Sequence, residues 1–250
     1  MECIMRRLRD VFYINAFPEN NELVYYGMQL NEFIKYAPVE ITKLLILEGE
    51  YFGRGFRSKT KLQVVENDEM EEFLGEDIYG YGDFAWVDFE NRDKLEELEP
   101  IELSELLYLG HMFKPINSPF FEKIQNRYAY LAHDDGWFCR LYCKKYSDFQ
   151  EVICNKIIDA VSTSKRRKIY PFSNELKEEL LDLAKNGLLI DFNNFIKYEK
   201  SIEIPIYTIG KFLDMDEMYN NLQENITRAK YSAYLVHKNK KWAIDYISKR

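Results

Sequence analysis

A histidine followed directly by two carboxylates, His133-Asp134-Asp135, is the most enzyme-like constellation in the chain. An imidazole and two carboxylates can hold a divalent cation or divide acid and base work between them. The same string also spells turn chemistry, because the Asp135-Gly136 step supplies the positive-φ positions that a tight hairpin needs, and Trp137 then opens the next strand. A second acidic group, Asp83, Asp88 and Glu90, alternates along a strand pattern beside Trp86. Alternation puts Asp83 with Ala85, Val87 and Phe89 on one face, so that it is partly buried and bonded to backbone N–H groups. Trp86 and Asp88 share the other face and would suit an aromatic, acidic binding surface. A cationic run, Lys165-Arg166-Arg167-Lys168, reads as a solvated linker; the alternative is a phosphate or nucleotide contact, or a hook for an acidic partner.

Other features are chemically quieter. Tyr79-Gly80-Tyr81-Gly82 lacks the Lys-Ser/Thr of a phosphate loop and does not join a strand to a helix as a dinucleotide fingerprint does. His111 borders an apolar helical stripe and reads as a packed side chain. No nucleophile-elbow motif and no Cys/His signature is written in the chain. The binding candidates are therefore Asp83, Trp86, Asp88, His133, Asp134, Asp135, Trp137, Arg166 and Arg167, with no catalytic residue, metal site or cofactor predicted.

The elements that position these residues follow from composition and spacing. With 250 residues, 46% hydrophobic and 30% charged, the chain has the balance of a folded protein with a sizeable core. Aromatics at 16% favour half-buried sheet faces. A formal charge of −8 argues against non-specific nucleic-acid or anionic-membrane binding. No apolar run approaches the roughly 18 to 20 residues of a membrane helix, and the N-terminal arginines are not followed by a signal-peptide core, so a cytoplasmic location is expected. Cys3, Cys139, Cys143 and Cys154 form no CxxC pair. Cys139 and Cys143 lie four residues apart on one strand pattern, about 13 Å, too far for a disulfide. Both are expected to behave as small buried apolar groups.

Along the chain, residues 10–17 read as a strand stopped by Pro18, 22–36 as a helix through Leu23, Tyr26, Leu30, Phe33 and Ile34, and 44–51 as a strand. A short helix carries Met70, Phe73 and Leu74. A two-sided strand follows from Asp83, then a helix over 101–112 with Leu103, Leu106, Leu107 and Gly110 as its packing stripe. The hairpin 127–143 comes next, then a helix through Phe149, Val152, Ile153 and Ile157. Ser173 caps a further helix that Gly187 ends. Residues 202–207 are extended, with Pro205 implying an edge or a bulge. Asp214 caps a helix through Met218, Leu222, Ile226 and Ala229, and a terminal hairpin spans 232–247. Tyr128-Ala129-Tyr130-Leu131-Ala132-His133 is echoed by Ser232-Ala233-Tyr234-Leu235-Val236-His237, each followed by a turn and a Trp. The expected class is α+β: a mixed or antiparallel sheet with hairpins and packed helices, open to a division into two related lobes. The polar 162–168 stretch places that division between an N-terminal lobe, 1–161, and a C-terminal helix-plus-hairpin lobe, 169–250, one continuous domain being the alternative.

Tyr81-Gly82-Asp83-Phe84, Trp86-Val87-Asp88-Phe89-Glu90, Leu106 to His111, Ser118-Pro119-Phe120-Phe121, Tyr130 to Trp137 and Ile202 to Tyr207 resemble a set of uncharacterised bacterial proteins. Those proteins often carry the label "oxalate:formate antiporter", and the resemblance runs from about residue 44 to 220. A transporter needs membrane-spanning segments, which this pattern lacks. The resemblance implies a bacterial, soluble protein and no activity or site residues. The leading expectation is a non-catalytic protein-binding or regulatory module with an unidentified protein partner. A metal-dependent hydrolase using His133, Asp134, Asp135 and Asp83, or a nucleotide or small-ligand binder, are the alternatives.

Overall fold

The structure is a computed structural model describing residues 10–49, 62–75, 83–133, 137–162, 169–212 and 214–247. Among these residues twelve strands and eight α-helices form, and the strand registers within each of two compact units are antiparallel throughout, an α+β fold. The first unit comprises residues up to Glu19, Leu23–Pro38 and Ser147–Arg250; the second comprises Asn20–Glu22 and Val39–Tyr146. These units change over at 19/20, 22/23, 38/39 and 146/147. The helix just before the polar 162–168 stretch packs against the helix just after it, and charge composition carries no information about such packing.

In the first unit the strands lie in the order β12 (Lys241–Tyr246), β11 (Tyr231–Lys238), β10 (Ser201–Thr208), β8 (Leu188–Asp191), β1 (Val11–Phe17) and β2 (Glu22–Tyr26, from Leu23 on), with β9 (Ile196–Lys197) beside β10. Its helices are α1 (Leu30–Tyr36), α5 (Ser147–Val161), α6 (Asn174–Ala184), α7 (Met215–Asn220) and α8 (Leu222–Thr227). Residues 22–26, expected to begin a helix, are a strand. Leu23, Val24, Tyr25 and Tyr26 are all buried, on both faces of the pleat, which a β-branched and aromatic run favours. Gly27 (φ +95°) then closes the strand, and a Cβ there would stand 2.1 Å from the Val11 carbonyl oxygen. Only after this break does a capping box between Gln29 and Glu32 start α1.

Ser173 caps α6 by accepting from Leu176 N–H, and Asp214 caps α7 by accepting from Asp216 and Glu217 N–H. The helix expected from Asp214 onward breaks at Asn221 into α7 and α8. Pro205 sits in an interior strand, not an edge, yet its missing N–H costs nothing. The bonds Ile209 N–H to Gly187 O and Tyr198 N–H to Ser201 O fix the alternation, so odd-numbered β10 residues face β8 and β9. β9 pairs with Ile202 and Glu203, β8 with Ile206 to Thr208, and Pro205 falls in the gap.

In the second unit the order is β7 (Phe138–Cys143), β6 (Tyr128–His133), β5 (Phe84–Asp88), β3 (Leu44–Glu48) and β4 (Gln63–Val65), with α2 (Met70–Gly75), α3 (Asp93–Glu96) and α4 (Pro100–Met112). α4 packs on β3 and β5 over a core that includes Leu45, Val87, Leu106, Leu109, Ala129 and Leu131. Gly110 permits the approach: a Cβ there would lie 2.7 Å from Leu47 Cβ.

The echoed hairpins occupy matching topological places. β3, β5, β6 and β7 are neighbours in that order, with α3 and α4 between β5 and β6. β8, β10, β11 and β12 repeat the order, with α7 and α8 between β10 and β11. The aromatic opposite each histidine is Phe138 for His133 and Trp242 for His237, so Trp137 is not the register equivalent of Trp242.

Candidate functional site

The strand β5 is buried along its whole length, as its two apolar faces require. Trp86 is fully buried and stacks on its cross-strand neighbour Tyr130 at 5.3 Å and 7°. Tyr130 OH in turn receives the Cys139 thiol at 3.1 Å. Cys139, Cys143 and Cys154 are free and buried. Asp88 is buried as well, and its Oδ1 accepts from Arg127 N–H (2.9 Å) and Tyr128 N–H (2.7 Å). It anchors the start of β6. An aromatic, acidic surface built on Trp86 and Asp88 is thereby corrected to core and anchor, because both faces of the strand are covered. Asp83, expected partly buried, is exposed at the strand's entry.

Burial raises the Asp88 carboxyl from its ordinary 3.8 to about 6, against the lowering effect of its two backbone donors. A raised native carboxyl binds its proton more tightly folded than unfolded, so its contribution to stability is full below about pH 4 and is lost as pH rises through 6. Asp88→Asn keeps an acceptor for both N–H groups but never ionises. Its stability relative to wild type should therefore climb by about 2 to 3 kcal/mol between pH 4 and 7. Urea denaturation at several pH values measures this difference, and a flat difference would remove Asp88 from the pH response. His133 acts oppositely in wild type, which is why the difference and not the absolute curve is diagnostic.

His133 is caged between Phe113 (4.6 Å) and Phe138 (4.7 Å, 1°). Burial first, then the Arg140 charge, lower it to about 4, with Asp83 opposing. It is thus a neutral imidazole at physiological pH, unsuited to general-base work there. Its Nε2 is buried without a hydrogen bond to a described residue. Arg140 Nε stands 2.9 Å from Glu22 Oε1, and an Arg140 Nη1–H donates to the Phe113 carbonyl at 3.2 Å. Burial raises the neighbouring Tyr142 phenol to about 12. Sequence reasoning missed this His133, Arg140, Glu22 and Tyr142 group, since Glu22 and Arg140 lie far apart in the chain. Asp134, Asp135, Arg166, Arg167 and the Tyr79 to Gly82 turn lie outside the described residues. Trp137 is half-buried at the start of the β7 side of the hairpin. Among the described residues no group of three or more His, Cys, Asp or Glu side chains could hold a metal ion.

α4 supplies the other candidate surface. Its N-terminus is held by a capping box between Glu99 and Glu102 with Pro100 in the first turn, and Lys123 pairs with Glu102 at 2.7 Å. Its C-terminus closes on Phe113 in the left-handed region (φ +52°), whose ring cages His133. Leu106, Leu109 and Gly110 are buried. Ile101 (70% exposed), Leu107 (45%) and Met112 (45%) are not, and Ile116 (53%), four residues past the helix end, is exposed as well. Ile101, Tyr108 and Met112 recur at seven and four residues and so share one line of the helix. Leu107, expected in the packing stripe, and His111, expected to pack at its border, are exposed. A helix apolar on nearly every side does not reveal from sequence which side faces the sheet. Glu96, Glu97 and Glu99 lie exposed at the N-terminal end of this surface.

No protein-family model, no curated protein and no solved structure matches this chain. No helix among the described residues is long and apolar enough to cross a membrane.

Proposed function

We propose that this protein is a non-catalytic, cytoplasmic protein-binding or regulatory module that docks its partner on the outer face of α4. The observation that carries the reading is the exposure of Ile101, Leu107, Met112 and Ile116 around one helix whose ends are fixed by the capping box and by Phe113. Surface apolar side chains are ordinary when scattered singly, whereas several on one fixed helix and the loop after it favour association. The partner would present an apolar strip, and the net charge of −8 favours one that is basic overall. The buried state of Trp86 and the low proton affinity of His133 support a scaffold role for the sheet in this reading, with the binding chemistry on the helix.

The test is Ile101→Glu/Leu107→Glu, two exposed positions whose exchange should leave the thermal transition within a few degrees of wild type. Tagged wild type is expected to retain a stoichiometric protein from a lysate of its source cells, and the double variant to lose it. Retention of the same protein by the folded double variant would sink the α4 assignment.

A further inference from the structure

β12 ends the strand order of the first unit, and among the described residues no strand pairs with its outer side. Its hydrogen-bonding parity is determined. The hairpin turns on Asn239 and Lys240, both at positive φ (52° and 67°), a two-residue turn whose closing pair is Lys238 and Lys241. At the far end Ile247 N–H donates to Ser232 O at 3.0 Å, in the same phase. Lys241, Ala243 and Asp245 therefore turn their backbone groups towards β11. Trp242, Ile244 and Tyr246 turn theirs outward, a row of donors and acceptors without a neighbouring strand.

The side chains on this edge carry a second pattern. Lys241, Ala243 and Asp245 share the face opposite the helix-covered one and are exposed. Lys241 and Asp245 are about 13 Å apart along their own strand and cannot pair with each other. A lone edge lysine normally deters strand addition. A lysine and an aspartate placed symmetrically about a small residue instead make the edge complementary to itself.

We propose that β12 is the seam of a symmetric dimer, pairing antiparallel with β12 of a second copy about Ala243, so that each Lys241 faces Asp245 of the other copy. Outward backbone groups on even-numbered residues allow only registers that pair even with even. Among these, centring on Lys241 or on Asp245 sets like charges face to face. Centring on Trp242 sets Lys241 opposite Ala243 and Asp245 opposite Asn239, and centring on Ile244 sets Asp245 opposite Ala243 and Lys241 opposite Ile247, so neither register pairs the charges. The Ala243-centred register alone forms two opposite-charge pairs, both at non-hydrogen-bonded positions where side chains approach most closely. It bonds Trp242 to Ile244 of the second copy and the reverse, closing by two-fold symmetry with no free edge between the copies. This dimer is independent of the α4 surface, which lies in the other unit.

Sedimentation velocity on the full chain over a wide concentration range tests the proposal. Wild type is expected to pass from monomer to dimer, and Asp245→Lys to weaken dimerisation by about tenfold or more, since two attractive pairs become repulsive. The exchange Lys241→Asp/Asp245→Lys should restore the wild-type midpoint. Ala243→Cys, its Cα about 4.5 Å from its symmetry mate, should form a disulfide-linked dimer on mild oxidation that wild type does not form. A wild type that stays monomeric at the highest concentrations overturns the proposal. So does a dimer indifferent to Asp245→Lys, or a charge exchange that fails to restore association.

Discussion

Trp86→Ala is expected to lose about 3 to 5 kcal/mol of folding stability, the range for truncating a large aromatic in a closed core. Trp86 is 0% exposed and lies nearly parallel to Tyr130 at 5.3 Å. Truncation removes the stacked contact and leaves a void that neighbours on three paired strands can fill only in part, because β3 and β6 are hydrogen-bonded to β5 on either side. Trp86→Phe keeps a ring over Tyr130 and should cost distinctly less. Urea denaturation followed by far-ultraviolet circular dichroism reads both. Equal, small losses for the two variants would mean that Trp86 is not a packed core residue in solution.

Gly187→Ala should be costlier than its one methyl suggests, at more than about 3 kcal/mol. Gly187 has φ +76°, which an alanine adopts at a cost of about 1 to 2 kcal/mol. Steric overlap costs more: the new Cβ would stand 1.8 Å from the Gly210 carbonyl oxygen, which is backbone and cannot rotate away. Relief requires the 209–212 segment to lift. That movement threatens Ile209 N–H to Gly187 O, Gly210 N–H to Asn186 O, and the two bonds of Tyr13 OH, one donated to Gly210 O and one accepted from Phe212 N–H. Gly210 is the control. It also has positive φ (+99°), but a Cβ there meets nothing within 4 Å, so Gly210→Ala should show the cost of the backbone conformation alone. Equal losses at the two glycines in the same denaturation experiment would refute the steric account.

Much of the architecture was legible because it rests on short-range chemistry. Ser173 and Asp214 cap helices where their side chains reach N–H groups two or three residues on, and Gly187 stops a helix by its own conformational freedom. The two-sided apolar alternation of β5 foretold its burial, the Asp135-Gly136 step foretold the pairing of 128–133 with 138–143, and the echo of that segment accompanied the expected terminal hairpin at 231–246. Other expectations failed where two periodicities coincide. Leu23, Tyr26 and Leu30 fit a helical spacing, yet the run around Tyr25 and Tyr26 is buried on both sides and pairs as a strand. The candidate site suffered most: Trp86 and Asp88 carry binding-type chemistry but lie inside, whereas Ile101, Leu107 and Met112 look like core and lie outside.

What this sequence determined by itself was therefore the α+β class, most of its element types, the caps, and the absence of a written catalytic motif. Those depend on residues within a few positions of one another, where the chain's own geometry limits the outcomes. The tertiary structure alone decided which face of α4 is free, that Pro205 sits harmlessly between two partial neighbours, that His133 is caged and neutral, and that Glu22 meets Arg140. Each of these turns on which distant strand or helix arrives alongside, and a local pattern of apolar and polar residues is compatible with several arrivals. Burial and pKa depend on that arrival, so the chemistry available to a side chain is settled only after the fold is.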